Sequence, residues 1–353
     1  MGPIYAHDGS LMSNDYSQFE KRKQDHIELA LMQVNQSTEL HGFDRLTLIH
    51  EALPDLNFED ISIEGSRLGA SVSKPFLVSS MTAGHQDAAK INEHLIAACA
   101  EQGWAMGVGS QRRELTDKDA AFEWLPLRLK YPTVSLLSNL GIAQLIHSPL
   151  SQIQRLTDAL QADALIIHCN ALQESIQPEG TPSFKGCWQA LADLVKGLAM
   201  PVVVKETGCG FSESTLKRLN DMGVAAVDVS GLGGTHWGRI EGHRAVNDPL
   251  RHKAAQTFAH WGIDTVQCLM NAMTVNPRFE VWGSGGVRNG LDAAKLFALG
   301  ANTVGFAQPL LRAALQSTEE VLAVMASIEY ELRVAMFCTG SRTLNDLKEK
   351  ACL

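Results

Sequence analysis

Short apolar runs rich in β-branched residues recur along most of this chain, and each ends on a glycine or a polar residue. Longer segments with apolar residues at helical spacing lie between them, at residues 88–102, 150–161, 184–199 and 212–222. This alternation predicts parallel strands joined by crossover helices. The predicted strands are residues 76–80, 105–108, 134–138, 164–168, 202–205, 225–229, 280–283 and 303–306. Eight such repeats favour an α/β fold of the closed (β/α)8 barrel type over an open sheet.

Further segments flank or interrupt the predicted barrel. Residues 1–70 form a predicted N-terminal extension, and residues 71–353 form the barrel domain. Residues 61–72 alternate like a hairpin, which we expect to plug the bottom of the barrel. Residues 319–337 have the spacing of a closing helix. The connection at residues 242–276 is longer than the others and predicts either a mobile lid over the site or a longer helix.

The composition excludes some classes of function. The net charge of −9 argues against a general nucleic-acid binder, because such proteins need a basic face. No apolar run approaches the roughly 18 residues that span a membrane, and residues 1–17 do not resemble a secretory signal. The seven cysteines form no CxxC pair, which predicts reduced thiols and a cytoplasmic protein. An anionic ligand would therefore depend on local positive groups.

Glycines follow the last two predicted strands. Residues 281–288 read VWGSGGVR, and residues 303–309 read TVGFAQP. In (β/α)8 barrels the loops after strands 7 and 8 often bind phosphate, because glycines let backbone N–H groups approach the anion and a helix N-terminus adds its dipole. The pattern predicts a phosphorylated ligand and by itself does not distinguish FMN from a phosphorylated sugar.

Lys205 ends the fifth predicted strand, which places its ammonium group at the barrel mouth. It would face an electron-rich ring edge or an oxyanion, or form an ion pair with Glu206. Ser230 and Thr235 bracket three glycines after the sixth strand. Together with the later glycines, this pattern resembles barrels that bind FMN, in which the lysine faces the pyrimidine edge of the flavin. The resemblance implies cofactor contacts from Met81, Thr82, Ala83, Ser110, Asn139, Lys205, Ser230, Thr235, Gly285, Gly286, Val287, Arg288, Ala307 and Gln308.

The most specific motif is HCNALQE at residues 168–174, directly after the fourth strand. With RK at 22–23, SQR at 110–112 and GGTHW at 233–237, it resembles the flavin-dependent, type 2 isopentenyl-diphosphate isomerases. The resemblance covers residues 22–340. It implies interconversion of isopentenyl and dimethylallyl diphosphates by a 1,3-allylic proton shift in isoprenoid biosynthesis, with reduced FMN, Mg²⁺ and NADPH as reductant. It also implies a homo-oligomer, either a tetramer or an octamer.

The chemistry of a diphosphate assigns roles to further residues. Several cations are needed, which Arg22, Lys23 and Arg112 would supply. Glu174 is a lone carboxylate, which suits Mg²⁺ completed by water and phosphate oxygens. Substrate contacts are expected from Arg22, Lys23, His26, Ser110, Gln111, Arg112 and Gln173.

Moving a double bond requires a proton to be added at one carbon and removed from another, and an alkene is a weak base. Reduced flavin offers N5 as acid and base, which explains a redox cofactor in a redox-neutral reaction. We expect Gln173 on the opposite face of the alkene, where it positions the substrate or relays a proton. His168 would assist catalysis by charge or hydrogen bonding, and Glu241 is a further relay candidate.

Two other functions fit the same barrel. An FMN-dependent 2-hydroxy-acid oxidase or dehydrogenase needs a histidine base and an arginine for the carboxylate, and His236 and Arg239 are candidates. That function leaves Gln173 and Glu174 without a role. A non-catalytic flavin-binding or metabolite-sensing protein is the second alternative. Cys209, between two glycines, would act as a nucleophile only with a partner base, and the neighbouring sequence offers none.

Overall fold

Eight parallel strands form a closed barrel in the computed structural model, which describes residues 10–81, 86–117, 120 and 124–352. The strands are β1 (Phe76–Val78), β2 (Ala105–Gly107), β3 (Leu136–Gly141), β4 (Ala164–Cys169), β5 (Val202–Glu206), β6 (Ala226–Asp228), β7 (Glu280–Gly283) and β8 (Thr303–Phe306). Neighbours along the chain are neighbours in the barrel, and the ring closes where Val304 lies opposite Phe76. The predicted (β/α)8 barrel is confirmed.

Helices connect and surround the strands. They are α1 (Ser10–Leu31), α2 (Gln86–Gln102), α3 (Leu125–Lys130), α4 (Ile142–Leu145), α5 (Leu150–Leu160), α6 (Ala171–Ile176), α7 (Cys187–Gly197), α8 (Glu213–Met222), α9 (Trp237–Arg244), α10 (Pro249–Thr257), α11 (Thr265–Thr274), α12 (Gly290–Ala298), α13 (Gln308–Ala314) and α14 (Thr318–Cys338). The predicted closing helix is α14, which packs against α2, α12 and α13. The long connection at residues 242–276 contains two helices, α10 and α11, in place of one longer helix, and a mobile lid there stays a prediction.

A hairpin covers the bottom of the barrel. Its strands are Gly65–Arg67 and Ala70–Val72, within the range predicted from the sequence. Leu68 at the tip packs against the cluster of buried side chains that fills the barrel interior. The N–H groups of Leu68 and Gly69 donate to the two carboxylate oxygens of Glu280, at 2.8 and 2.9 Å. Because Glu280 begins β7, the hairpin covers the end of the barrel opposite the C-terminal strand ends.

β3 extends further than predicted. The expected strand was 134–138, whereas the observed one is Leu136–Gly141. Asn139 is polar, which reads in sequence as the end of a strand. In the folded chain its N–H donates to Gln111 Oε1 and its Nδ2 donates to the carbonyl of Val108, both at 3.1 Å. Because these polar groups are satisfied inside the barrel, the strand continues through them.

The N-terminal extension lies over the C-terminal end of its own barrel. α1 contacts α9 and α13. Beyond α1, the N–H of Ser37 donates to the carbonyl of Gly234, and the N–H of His236 donates to the carbonyl of Asn35, both at 2.8 Å. These bonds join the extension to the loop that follows β6. Within the described part of the chain, no helix combines the length and hydrophobicity needed to cross a bilayer.

Candidate active site

A cavity of about 440 Å³ lies at the C-terminal end of the barrel. All eight strand ends reach it, through Ser79, Ser110, Asn139, His168, Lys205, Ser230, Ser284 and Ala307. α1 adds Arg22, Lys23 and His26 to its wall. The predicted residues that line it are Arg22, Lys23, His26, Met81, Ser110, Arg112, Asn139, His168, Gln173, Glu174, Lys205, Ser230, Thr235, Gly285, Gly286, Val287, Arg288, Ala307 and Gln308. Thr82 and Ala83, also predicted, lie outside the described residues.

The loops after β6 and β7 meet at one side of the cavity, where only glycine fits. Gly233, Gly285 and Gly286 have φ angles of +141°, +100° and +75°. A Cβ on Gly234 would lie 2.7 Å from the nitrogen of Gly286. The N–H groups of Gly233, Gly234, Gly285, Gly286 and Val287 have no acceptor among the described residues. A group of unpaired backbone donors around a cavity suits a phosphate, so these residues fit the phosphate of FMN.

Two arginines add positive charge on this side. Arg288 lines the cavity, and its Nε donates to Asp292 at 2.8 Å, an interaction that raises the pKa of Arg288. Arg312 on α13 also lines the cavity and was not predicted. Its signal in sequence is weak, because it lies one helical turn beyond the strand end that drew attention.

Lys205 is buried at the floor of the cavity. Its Nζ donates to Ser230 Oγ at 2.8 Å and to the carbonyl of Glu206 at 2.5 Å. The expected alternative, an ion pair with the carboxylate of Glu206, is wrong, since that carboxylate accepts backbone N–H groups of the following turn. Burial raises the pKa of Glu206 to about 7 despite these bonds. The carboxylate that pairs with Lys205 is that of Asp228, at 3.9 Å, a partner that sequence reasoning missed.

His168 is neutral. Burial, and then the charges of Lys205 and Lys23, lower its pKa to about 3. Its Nδ1 lies 2.8 Å from Asn139 Oδ1, an oxygen whose orientation is set because Asn139 Nδ2 donates to Val108. Nδ1 therefore carries the proton and Nε2 is left as an acceptor. Of the two predicted roles for His168, the structure favours hydrogen bonding over charge.

Three cations form a second group in the cavity lining. Arg22 and Lys23 come from α1, and Arg112 follows β2. Burial, and then the neighbouring charges of Arg22 and Arg112, lower the pKa of Lys23 to about 7. Burial also lowers the pKa of Arg22. Cations that depress one another's pKa form a site that an anion with several charges would stabilise.

Gln173 is tied to a buried carboxylate. Its Nε2 donates to Glu241 Oε1 at 3.0 Å, and His26 Nε2 lies 2.8 Å from the same oxygen. Arg244 Nη1 donates to Glu241 Oε2 at 2.6 Å. Burial alone would raise the pKa of Glu241, but the hydrogen bond and charge of His26, the charge of Arg244 and the bond from Gln173 together hold it below its usual value. Glu241 is therefore ionised, and Gln173 stands between it and the cavity.

Glu174, in α6, provides a carboxylate to the cavity wall. Its Oε1 accepts from Asn170 Nδ2 at 3.0 Å, and its Oε2 accepts from the N–H of Thr181 at 2.5 Å. Asn170 Oδ1 is buried without a partner and belongs to the same cavity wall. The described residues contain no group of three or more His, Cys, Asp or Glu arranged for a metal. One carboxylate with a spare amide oxygen suits Mg²⁺, which keeps waters and takes phosphate oxygens.

Gln111 was predicted to contact the substrate, and the structure places its side chain outside the cavity lining. It is 1 % exposed and is not part of the cavity lining. Its Oε1 accepts from Ser138 Oγ and from the N–H of Asn139, while its Nε2 donates to Glu114 at 2.6 Å. The amide of Gln111 is hydrogen-bonded to β3 and to Glu114, because a buried amide must satisfy its own donors and acceptors.

Two serines at the end of β1 also escaped prediction. Ser79 and Ser80 line the cavity, and both hydroxyl oxygens are buried without a partner. The predicted strand ran through residue 80, so these serines were counted inside the strand and not at its end. Unpaired buried hydroxyls facing a cavity indicate ligand contacts.

The residues of the alternative functions do not reach the cavity. Among the described residues, its lining includes neither His236 nor Arg239. Arg239 donates to the backbone carbonyls of Ala259 and Gln36, both at 2.8 Å, and the buried ring of His236 accepts the N–H of Arg239. Cys209 also lies outside the lining, and burial raises the pKa of its thiol. The base and carboxylate ligand of a 2-hydroxy-acid oxidase are therefore not supplied by these residues.

Known structures share this fold. A flavocytochrome b2 mutant with benzoylformate has a TM-score of 0.68 and 19% identity, covering 96% of this chain and 85% of that chain. A mandelate oxidase mutant with benzaldehyde has a TM-score of 0.66 and 17% identity, covering 96% and 98%. At such identities the likeness shows the fold alone.

Sequence relatives are much closer. The profile of the FMN-dependent dehydrogenase family matches residues 133–353. A protein of Legionella pneumophila (strain Corby) named isopentenyl-diphosphate delta-isomerase is 70% identical, covering 97% of this chain and all of the relative. Proteins of the same name from Bdellovibrio bacteriovorus and Oceanobacillus iheyensis are 52% and 40% identical, covering 96% and 93% of this chain and 99% and 94% of their own. The chain therefore belongs to the FMN-dependent dehydrogenase family and, within it, to the type 2 isopentenyl-diphosphate delta-isomerases.

Proposed function

We propose that this protein interconverts isopentenyl and dimethylallyl diphosphates by a 1,3-allylic proton shift, as a flavoenzyme of isoprenoid biosynthesis. The observation that carries the proposal is a single cavity with two anion sites. Glycine N–H groups gather in the loops after β6 and β7, and Arg22, Lys23 and Arg112 form a separate group from α1 and the loop after β2. A bound FMN phosphate accounts for the first site, which leaves the second for a diphosphate substrate.

The flavin would be held by backbone and side-chain donors of the strand ends. Gly285, Gly286 and Val287 would bind its phosphate, and Lys205 would bind its ring edge. When bound in its reduced form, FMN supplies a ring nitrogen that can give and accept a proton. NADPH is the proposed reductant. The hydrogen bonds from Lys205 to Ser230 and to the carbonyl of Glu206 support this arrangement, because they fix the ammonium group at the cavity floor.

The substrate's diphosphate would be bound by the three cations and by Mg²⁺ on Glu174. The lowered pKa values of Arg22 and Lys23, caused first by burial and then by neighbouring cations, support this assignment, since a bound anion would stabilise the charged form of both groups. The unpartnered Oδ1 of Asn170 offers a further oxygen toward the metal or one of its waters. These contacts would orient the alkene between the cavity floor and Gln173.

On the side of the alkene that Gln173 faces, the groups that would accept and return a proton are Glu241 and its hydrogen-bond partners. An amide is a poor proton donor, so we assign acid–base work to the carboxylate of Glu241, acting through the 3.0 Å bond from Gln173. His26 donates to the same oxygen, so this hydrogen bond would respond to a change in the charge of Glu241. His168, neutral and accepting at Nε2, would hold the site's geometry without serving as an acid.

An anaerobic assay with labelled isopentenyl diphosphate, reduced FMN and Mg²⁺ tests the proposal. Formation of dimethylallyl diphosphate is the expected result, and its absence from a correctly folded, flavin-loaded protein would contradict it. A parallel test addresses the oxidase alternative. 2-Hydroxy acids should leave the oxidised flavin yellow, whereas bleaching would favour an oxidase. A cytoplasmic location and a homo-oligomeric state stay predictions. Sedimentation of the purified holoenzyme would measure the oligomeric state.

A further inference from the structure

Arg244, the last residue of α9, bridges three segments that line the cavity. Its side chain is 9 % exposed. Nη1 donates to Glu241 Oε2 at 2.6 Å, Nη2 donates to Glu179 Oε1 at 2.7 Å, and Nε lies 3.5 Å from Asp25 Oδ2. Glu241 belongs to α9, Glu179 follows α6, and Asp25 belongs to α1. The guanidinium therefore hydrogen-bonds carboxylates from two parts of the fold, which its planar, five-donor geometry allows. Its Nε has no hydrogen-bond partner among the described residues and forms only the longer ion pair with Asp25.

The first consequence concerns the charge of Glu241. Its side chain is fully buried, and an isolated carboxylate at such a position would take up a proton. His26 and Gln173 both donate to Oε1, whereas Arg244 is the donor at Oε2. The hydrogen bonds to Glu179 and Glu241 raise the pKa of Arg244, although burial alone would lower it, so the charge on Arg244 is permanent.

The second consequence concerns the cavity wall. Glu179 lies in the loop directly beyond Gln173 and Glu174, and Asp25 lies on α1 two residues from Lys23. Because Arg244 holds Glu179 and Asp25 near α9, it fixes the distance between α1, which carries Arg22 and Lys23, and the segment that carries Gln173. Neither Glu179 nor Arg244 lines the cavity, so their effect on a ligand must be indirect.

We propose that Arg244 is a positioning residue that keeps Glu241 ionised and clamps α1 and the loop after α6 onto α9. This role rests on the proposed function, because it acts through Glu241 on the acid–base step and through α1 on the diphosphate site. The other charged groups that interact with Glu241 are Arg22, Lys23 and His26 from α1. Arg112 from the loop after β2 acts on Arg22 and Lys23, and Glu179 from the loop after α6 acts on Arg22 and Arg244.

The experiment compares flavin-loaded wild type with Arg244→Met and Arg244→Lys. Each is measured for the pH profile of kcat, for KM, and for binding of inorganic pyrophosphate by calorimetry. In Arg244→Met we expect kcat at neutral pH to fall about tenfold or more. The acid limb of the profile should move upward by about one pH unit or more, since an adjacent cation lowers a carboxylate pKa by about that amount. The pyrophosphate Kd should rise several-fold.

Lysine separates the two roles. Arg244→Lys restores a charge near Glu241, so the acid limb should return close to its wild-type position. A single ammonium cannot bridge Glu241, Glu179 and Asp25 together, so KM and the pyrophosphate Kd should stay elevated. The matched control is Arg278→Met, which removes an arginine whose ion pair with Asp221 is exposed and outside the cavity, and which should change none of these quantities.

An unmoved acid limb in Arg244→Met, or methionine and lysine variants that behave alike, would overturn the proposal. If Arg244→Met does not fold, Glu179→Gln decides, because Glu179 is 41 % exposed and tolerates change. It should raise the pyrophosphate Kd and leave the acid limb in place, and an unchanged Kd would refute the clamp. A wild type that binds pyrophosphate but does not isomerise would defeat the proposed function while the binding data still test the clamp.

Discussion

Replacing Gly286 by alanine should strongly weaken FMN binding. Gly286 has a φ of +75°, and a Cβ there would overlap the backbone of Gly233 in the neighbouring loop. Alanine at a left-handed position costs about 1–2 kcal/mol on its own. To relieve the overlap the loops after β6 and β7 must separate, which would displace the N–H groups that we assign to the phosphate.

The size of the effect follows from the number of bonds lost. A hydrogen bond to a charged group contributes about 1.5–3 kcal/mol, so the loss of two costs about 3 kcal/mol or more. Each 1.4 kcal/mol is tenfold in Kd, which gives a rise in the FMN dissociation constant of about a hundredfold. Quenching of flavin fluorescence on titration of the apoprotein measures this Kd directly.

Gly69→Ala is the matched control. Gly69 has a nearly identical φ of +77°, and a Cβ there meets nothing within 4 Å. The substitution should lower the free energy of unfolding by about 1–2 kcal/mol through backbone strain alone and leave the FMN Kd unchanged. The reasoning is refuted if Gly286→Ala binds FMN as wild type does, or if Gly69→Ala loses affinity to the same extent.

Three further predictions concern the substrate side of the cavity. Gln173→Ala should retain flavin and lose most isomerase activity, and loss of flavin instead, seen in the absorbance spectrum, would contradict its assigned position. Glu174→Gln should raise the Mg²⁺ concentration for half-maximal rate about tenfold or more, with the FMN Kd unchanged as control. Because the pKa of Lys23 is about 7 and its protonated form favours an anion, pyrophosphate affinity of wild type relative to Lys23→Arg should decline as pH rises through 7. A ratio that stays constant with pH would show that Lys23 does not titrate at the site.

The barrel was predictable because its signals are local. The spacing of apolar residues predicts each strand and crossover helix, and eight such units are compatible with few architectures. Most candidate residues were then predicted from the C-terminal ends of the strands, since parallel strands bring the residues at these ends to one face of the barrel. Lys205 and His168 are examples, each read from the end of a single apolar run.

Contacts between distant segments were not predictable in the same way. Asp228 pairs with Lys205 and Arg244 pairs with Glu241, and their partners are chosen by the three-dimensional packing of strands and helices. The buried position of the Gln111 side chain was not predictable for the same reason. A polar residue beside a predicted site looks functional in sequence, whereas here its amide is required by the extended β3 strand.

The most direct test of the central claim is the initial rate of dimethylallyl diphosphate formation by anaerobic enzyme, measured with reduced FMN, oxidised FMN and no flavin. Mg²⁺ and labelled isopentenyl diphosphate are present throughout. We expect product with reduced FMN and little or none in the other two reactions. Equal rates in all three, or no product with reduced FMN bound, would contradict a flavin-dependent isomerase.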